Sequence, residues 1–310
     1  MTKITATFID EISHDIPHQN WGATEWAADF AHMQHMGITT VVIIRCGYRK
    51  QLTYDSPYLL SQGCIAPSTD VVAMLLPLAH QHNMKLYIGL YDSGNYWDTG
   101  NMQHEVTPNL QVIPELWKRY GHYPAFGGWY LPMEISRKTR GATEAFVQLG
   151  NLCKQVSNNL PVLISPWIDG VKAVSAAGTA LTKTNAVTLT EHEAEWNEIF
   201  SAIHKSIDVV AFQDGHVPLH ELQQYLAVNK KLADAYGLTT WTNSESFDRD
   251  MPIKFLPIKY DKLRYKLQAA ANVGIGTAIT FEFSHFMSPQ SMYPSAGHLY
   301  NRYIEGLSQK

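Results

Sequence analysis

Two hydrophobic periods alternate along this chain. Short runs rich in β-branched and aromatic residues recur between stretches with apolar side chains every three or four positions. The runs lie at 5–10 (TATFID), 39–45 (TTVVIIR), 85–91 (KLYIGLY), 126–134 (FGGWYLPME), 161–167 (PVLISPW), 208–214 (DVVAFQD), 239–245 (TTWTNSE) and 276–283 (GTAITFEF). Each reads as a strand. Helical spacing fills 26–36, 69–83, 109–120, 143–158, 191–205, 218–236, 260–272 and 295–307, the first of these stopping at Gly37. Continuous apolar runs such as 39–45 are those of strands covered on both faces. Strands alternating with helices demand parallel pairing through crossovers. The pattern predicts an α/β fold, a single (β/α)8 TIM barrel over residues 1–310.

The irregular stretches are uneven. Those at 47–68, 92–108, 169–190 and 247–258 all follow strands, whereas the helix-to-strand returns at 37–38 and 237–238 are short. Long loops usually carry function. In a barrel these ones belong to the face at the carboxyl ends of the strands, where working sites sit.

Composition narrows the picture. A hydrophobic fraction of 45% with 17% charged residues supports a large core, and a net charge of -4 without long like-charged runs points away from nucleic acid and anionic membrane surfaces. No apolar run is long enough for a membrane span. The opening MTKITATFIDEI lacks a charged-then-apolar leader pattern, so the chain as written reads as cytoplasmic; a secreted or periplasmic protein shorn of its leader has the same pattern. The three cysteines show no paired spacing and read as free thiols. A large core accounts for most of the 8 Trp, 16 Tyr and 11 Phe, and some are expected to line a cleft, because the polar tips of Trp and Tyr are costly to bury.

The strand ends carry the chemistry. They place Asp10, Arg45, Tyr91 with Asp92, Glu134, Trp167, Gln213 with Asp214, the Trp241–Asn243–Glu245 stretch, and Glu282 with His285 on one rim. Asp10, Asp92 and Asp169 read as helix caps or loop-formers. Arg45 reads as neutralising neighbouring acids. Glu134, Glu245 and Glu282 follow apolar β sequence, and Glu is a poor cap, so they are expected to face the site. Two carboxylates across such a rim suit glycosidic cleavage, with flat aromatic faces for sugar C–H surfaces and amides for hydroxyls. Trp241, Trp167, Tyr91 and Tyr130 are candidate stacking residues, and Asp214, Gln213, Glu282 and His285 candidate hydroxyl contacts. The rim is expected to hold few Lys or Arg residues, and no Gly-rich anion loop is present.

Glu at the ends of the fourth and seventh strands resembles the large clan of retaining (β/α)8 glycoside hydrolases. The resemblance implies Glu134 as acid/base and Glu245 as nucleophile, although Met133 stands where the clan carries Asn. Glu134 would then need a raised pKa, supplied by apolar neighbours and by like charge on Glu245. Glu245 would stay ionised, oriented by Asn243 or Arg45. The segments 126–134, 212–215, 241–247 and 281–289 resemble those of a bacterial family of barrel domains of unknown function, suspected of glycosidase activity. The expected partner is a carbohydrate substrate, with no cofactor.

Two other readings use the same residues. Glu134, Asp214, His216, Glu245, Glu282 and His285 could gather around a divalent metal, as in sugar isomerases and epimerases of this fold. The absence of HxH after the first strand and of HExxH disfavours amidohydrolase and zincin chemistry, and the absence of GxGxxG a dinucleotide fold. The same aromatics and amides would also serve a sugar-binding barrel without catalysis.

Overall fold

The computed structural model describes residues 1–13, 16–96, 100–170, 186–250 and 255–308. The eight barrel strands are β1 (Lys3–Ile9), β2 (Thr40–Ile43), β3 (Lys85–Gly89), β4 (Phe126–Leu131), β5 (Val162–Ile164), β6 (Val209–Gln213), β7 (Thr239–Asn243) and β8 (Thr277–Thr280). They close in sequence order, β8 pairing with β1 through Lys3–Thr277 and Thr7–Thr280, and every pairing is parallel. The protein is therefore a (β/α)8 barrel, as the pattern predicts. The major helices are α1 (Ala23–Met36), α2 (Val71–Gln81), α3 (Gln103–Tyr120), α4 (Ala142–Val156), α5 (Leu189–Ile203), α6 (Leu219–Ala235), α7 (Tyr260–Asn272) and α8 (Pro294–Ser308).

Local chemistry sets the helix starts. Asp70 Oδ1 accepts the Ala73 N–H at 2.8 Å ahead of α2. Thr188 and Glu191 form a reciprocal capping box on α5. Helix α3 starts earlier than the sequence pattern predicts, and runs through Pro108 and Pro114. External contacts offset the proline penalty. Glu105 accepts the Ser93 N–H at 2.7 Å, and the Asn109 side chain is bonded to both backbone groups of Tyr91.

Two cores result. One lies between strands and helices, with Trp26, Phe30, Trp129, Trp196 and Phe200 among its buried members. The other fills the barrel itself with Phe8, Val42, Tyr87, Tyr130, Leu163 and Ile279, so the barrel is packed rather than hollow.

Two small sheets stand beyond the strand ends. Gly47–Tyr48 pairs antiparallel with Gln51–Leu52 and parallel with Tyr91–Asp92, tying the loops after β2 and β3 together. Phe247–Asp248 pairs with Leu256–Pro257 in the loop after β7. The predicted long loops 92–108, 169–190 and 247–258 each include positions (97–99, 171–185 and 251–254) that lie outside the described residues. Among the described residues no helix is long and apolar enough to cross a membrane.

Candidate active site

A cleft of about 390 Å³ opens at the carboxyl ends of the strands. Its size is within the range of small-molecule sites, ~300–1,000 Å³. Its walls include Asp10, Arg45, Glu134, Gln213, Asn243 and Glu245 from the strand ends. Phe8, Phe247, Phe255 and Phe281 supply the apolar surface, with Tyr48 beside them.

Glu245 follows β7 by two residues and is buried. Arg249 holds it in a two-pronged ion pair, Nε to Oε2 at 2.8 Å and Nη2 to Oε1 at 2.7 Å. Burial pushes the carboxyl upward, but the Arg249 charge and its hydrogen bonds, with Lys266 and His216 behind them, bring it below the usual value. Glu245 is thus held ionised. The orienting group is Arg249, not the expected Asn243 or Arg45: the Asn243 amide donates to Ser165 Oγ at 3.0 Å, and Arg45 is engaged elsewhere. Space for the carboxylate depends on Gly215, where a Cβ would lie 1.9 Å from Glu245 Oε2. Behind it, Lys266 Nζ bonds Asp214 Oδ1 at 2.7 Å and the Glu245 carbonyl at 3.1 Å.

Glu134 stands just beyond β4, half-buried, and next to the buried Met133. Its charge acts on Arg45, Arg249, Tyr96 and Tyr130. Burial, followed by the Glu134 carboxylate, pushes the Tyr130 phenol well above its ordinary value. Arg45 donates from Nε to Asp92 Oδ2 at 2.8 Å and from Nη1 to Ser13 Oγ at 2.8 Å, with its guanidinium over the Tyr48 ring. Asp10 accepts the Ser13 N–H at 2.9 Å and Asp92 the Gly94 N–H at 2.8 Å, the loop-forming roles expected of them.

Of the residues singled out on the rim, the structure brings Asp10, Glu134, Glu245, Arg45, Gln213 and Asn243 into this cleft. Others stand apart from its lining. Tyr91 packs into the outer core, with its hydroxyl donated to the Arg49 carbonyl at 2.7 Å. Trp241 points inward like Asn243 but two residues deeper, so it fills the barrel. Tyr130 is fully buried in the same interior. Trp167 meets His216 edge to face at 5.0 Å, beside a backbone bridge to Gln213. Asp214 sits behind Glu245 and is committed to Lys266.

Glu282 departs most from its expected position. It caps the helical turn Phe283–Phe286, accepting the Ser284 and His285 N–H groups, and pairs with His285 Nδ1 at 2.6 Å. His285 Nε2 donates to the Pro17 carbonyl at 2.6 Å. Both residues are buried away from the cleft lining. Glu is a poor cap in general, but here the imidazole bound to it makes a fully buried carboxylate tolerable. The six groups considered for a metal are therefore split, and among the described residues no three His, Cys, Asp or Glu side chains are grouped to hold an ion.

Sequence reasoning missed Arg49, Arg249, Phe247, Phe255 and Phe281 as cleft residues. The expectation of few basic groups is corrected, since three arginines line the cleft. One signal was available: Arg249 lies four residues after Glu245, a pairing distance normally seen on helices and met here in a loop.

The buried acids around Glu282 have a measurable consequence. Burial pushes Asp29 and Glu11 up to about 7. Burial alone would lower His285, but the Glu282 carboxylate raises it to about 9. All three groups bind protons more tightly folded than unfolded, so their contribution is fully present in acid and is lost as pH rises through the folded values. Thermal melts are expected to show stability falling between about pH 4 and 9, from the unfolded values of the acids to the folded value of His285. For Asp29 the move from 3.8 to about 7 corresponds to ~4 kcal/mol at most, and Asp29→Asn should flatten the profile. An unchanged profile in that variant would remove Asp29 from the explanation.

The closed parallel eight-stranded barrel is a fold that solved glycoside hydrolases share. The chain belongs to the family described as "Domain of unknown function (DUF4434)", whose model matches residues 4–293. Among curated proteins none matches. A solved structure from Bacteroides thetaiotaomicron, described as a "putative alpha-L-fucosidase", is 61% identical and superposes with a TM-score of 0.97, covering 100% of this chain and 96% of that one. An endo-1,4-beta-D-mannanase from Thermotoga petrophila is 13% identical with a TM-score of 0.58, covering 98% of this chain and 100% of the other. An intracellular xylanase from Thermoanaerobacterium saccharolyticum is 11% identical with a TM-score of 0.52, covering 90% and 85%. At the two lower identities the likeness shows the fold alone.

Proposed function

We propose that the chain hydrolyses a glycosidic bond with retention of configuration, with Glu134 as acid/base and Glu245 as nucleophile. The observation that carries this reading is that both glutamates line one cleft, on strand ends three places apart around the barrel, with Gln213 and Asn243 in the same lining. Glu245 is held ionised by Arg249, as a nucleophile requires. Glu134 gives its proton to the glycosidic oxygen as the bond to the anomeric carbon breaks and Glu245 Oε attacks that carbon. Water, deprotonated by Glu134, then releases the sugar from Glu245, and the two inversions retain the anomer. Phe281, Phe247 and Phe255 offer the flat surfaces that the sugar ring packs on, in place of the tryptophans expected there.

The name carried by the 61% identical relative makes α-L-fucosides the first compounds to try, followed by β-mannan and xylan fragments. Purified protein is expected to hydrolyse one member of a glycoside panel that begins with these and includes their acidic and sulfated forms, with the first-formed product, seen by NMR, keeping the configuration of the bond cleaved. An inverted product would overturn the nucleophile assignment. Specific binding with no turnover anywhere in the panel would instead make this a sugar-binding barrel.

A further inference from the structure

The cleft lining carries three arginines and three carboxylates, Asp10, Glu134 and Glu245, but they are not paired one to one. Arg45 is matched by Asp92, and Arg249 by both oxygens of Glu245. Arg49 is different. It lines the same cleft, it is exposed, and its guanidinium has no acidic or carbonyl acceptor among the described residues. It lies over the Tyr48 ring, 5.4 Å from the centroid, a ring it shares with Arg45. Stacking on an aromatic face leaves the N–H edge of a guanidinium open to an acceptor.

The backbone holds this group in place. Arg49 begins the two-residue turn between Gly47–Tyr48 and Gln51–Leu52, with φ at +52°. That region disfavours L side chains by ~1–2 kcal/mol, and Gly, Asn or Asp would ordinarily occupy it. The turn is held by tertiary bonds. The Arg49 N–H donates to the Asp92 carbonyl at 2.9 Å, and the Arg49 carbonyl accepts the Tyr91 hydroxyl at 2.7 Å. Gly94 leaves the room the side chain needs, since a Cβ there would come within 2.9 Å of Arg49 Nε. A surface arginine serving only solubility would need none of this. A guanidinium at the wall of a cleft, stacked on a ring and without an acceptor among the described residues, can receive a planar or tetrahedral anion.

We propose that the substrate is an acidic glycan, and that Arg49, stacked on Tyr48, receives a carboxylate or sulfate on a sugar bound in the cleft. This rests on the glycosidic reading above and names the class of sugar it acts on. Arg49 is a specificity residue: it contacts the substrate away from the bond broken, and Glu134 and Glu245 do the chemistry.

The test is calorimetric titration with oligomers of glucuronate, galacturonate and mannuronate, the methyl ester of each, and a sulfated galactose oligomer without carboxylates. At least one acid or sulfate is expected to bind the wild-type protein more tightly than its uncharged counterpart. Arg49→Gln should weaken that ligand by roughly tenfold or more while leaving the ester unchanged. Arg49→Lys should recover part of the loss, and raising salt from about 20 to about 200 mM should weaken binding of the acid only. Preference for uronates over the sulfated oligomer, or the reverse, tells which anion the site takes. The proposal is overturned if no charged oligomer outbinds its neutral counterpart, or if Arg49→Gln weakens both alike. Hydrolysis is scored separately on the same samples. Charge-selective binding without turnover refutes hydrolysis and leaves the anion site standing; turnover of neutral glycans untouched by Arg49→Gln does the opposite.

Discussion

Replacement of Glu245 by glycine is expected to lower turnover by a factor on the order of 10⁴–10⁶, the scale of losing a nucleophile that works as part of a unit. The variant also has a signature that simple damage to the fold lacks. Removing the side chain opens space beside Gly215, where Glu245 Oε2 now fills the volume a Cβ would take. It also leaves the Arg249 guanidinium, normally committed to both Glu245 oxygens, facing that space. A small anion such as azide or formate should settle there and attack the anomeric carbon in place of the lost carboxylate. Activity should return in part with added azide, and the product should be a glycosyl azide of inverted configuration. Wild-type rates in the variant would show that another group attacks.

Glu134→Gln should act more selectively. Glutamine keeps the size of the side chain and loses the transferable proton, so natural glycosides should slow by ~10²–10⁴-fold. An aryl glycoside whose phenolate leaves without protonation should keep most of its rate of bond cleavage, because that step no longer needs the acid. The alkaline limb of the pH–rate profile, which reports the acid form, should disappear. Equal slowing of both substrate types would assign Glu134 to binding instead. Arg249 senses the charge of Glu134, so removing that charge also changes the field acting on the group that holds Glu245.

What the sequence discloses divides along a physical line. The eight strands were legible because a barrel strand is apolar on both faces, and runs such as 39–45 have no other reading. Residues at strand ends were legible for the same reason: Gln213 and Asn243 take their direction from strand periodicity, and Glu134 shares the parity of the inward Tyr130. Periodicity also misled where depth mattered. Trp241 shares the inward direction of Asn243 yet sits in a lower layer of the barrel, and direction alone does not report depth. Loop residues carry no period at all. Arg49 and Phe255 reach the cleft through turns with left-handed backbone, and Phe247 and Arg249 come from the loop holding the second small sheet. Glu282 was misplaced because capping preference is a statistical property of side chains, whereas here His285 fixes the carboxylate against the turn.

The sheet that joins Gly47–Tyr48, Gln51–Leu52 and Tyr91–Asp92 makes two loops from different βα units into one body. It has a bearing on how this wall of the cleft can evolve. An insertion in either loop would break main-chain pairing in the other, and would displace Arg45 and Arg49 together through their shared neighbours Tyr48 and Asp92. Change on this side is therefore confined to exchange of one side chain for another at constant length. The wall after β7 is tied to its neighbours by side chains instead: among the described residues its two short strands pair with each other, and Phe247 packs on Phe281 and Phe286 after β8.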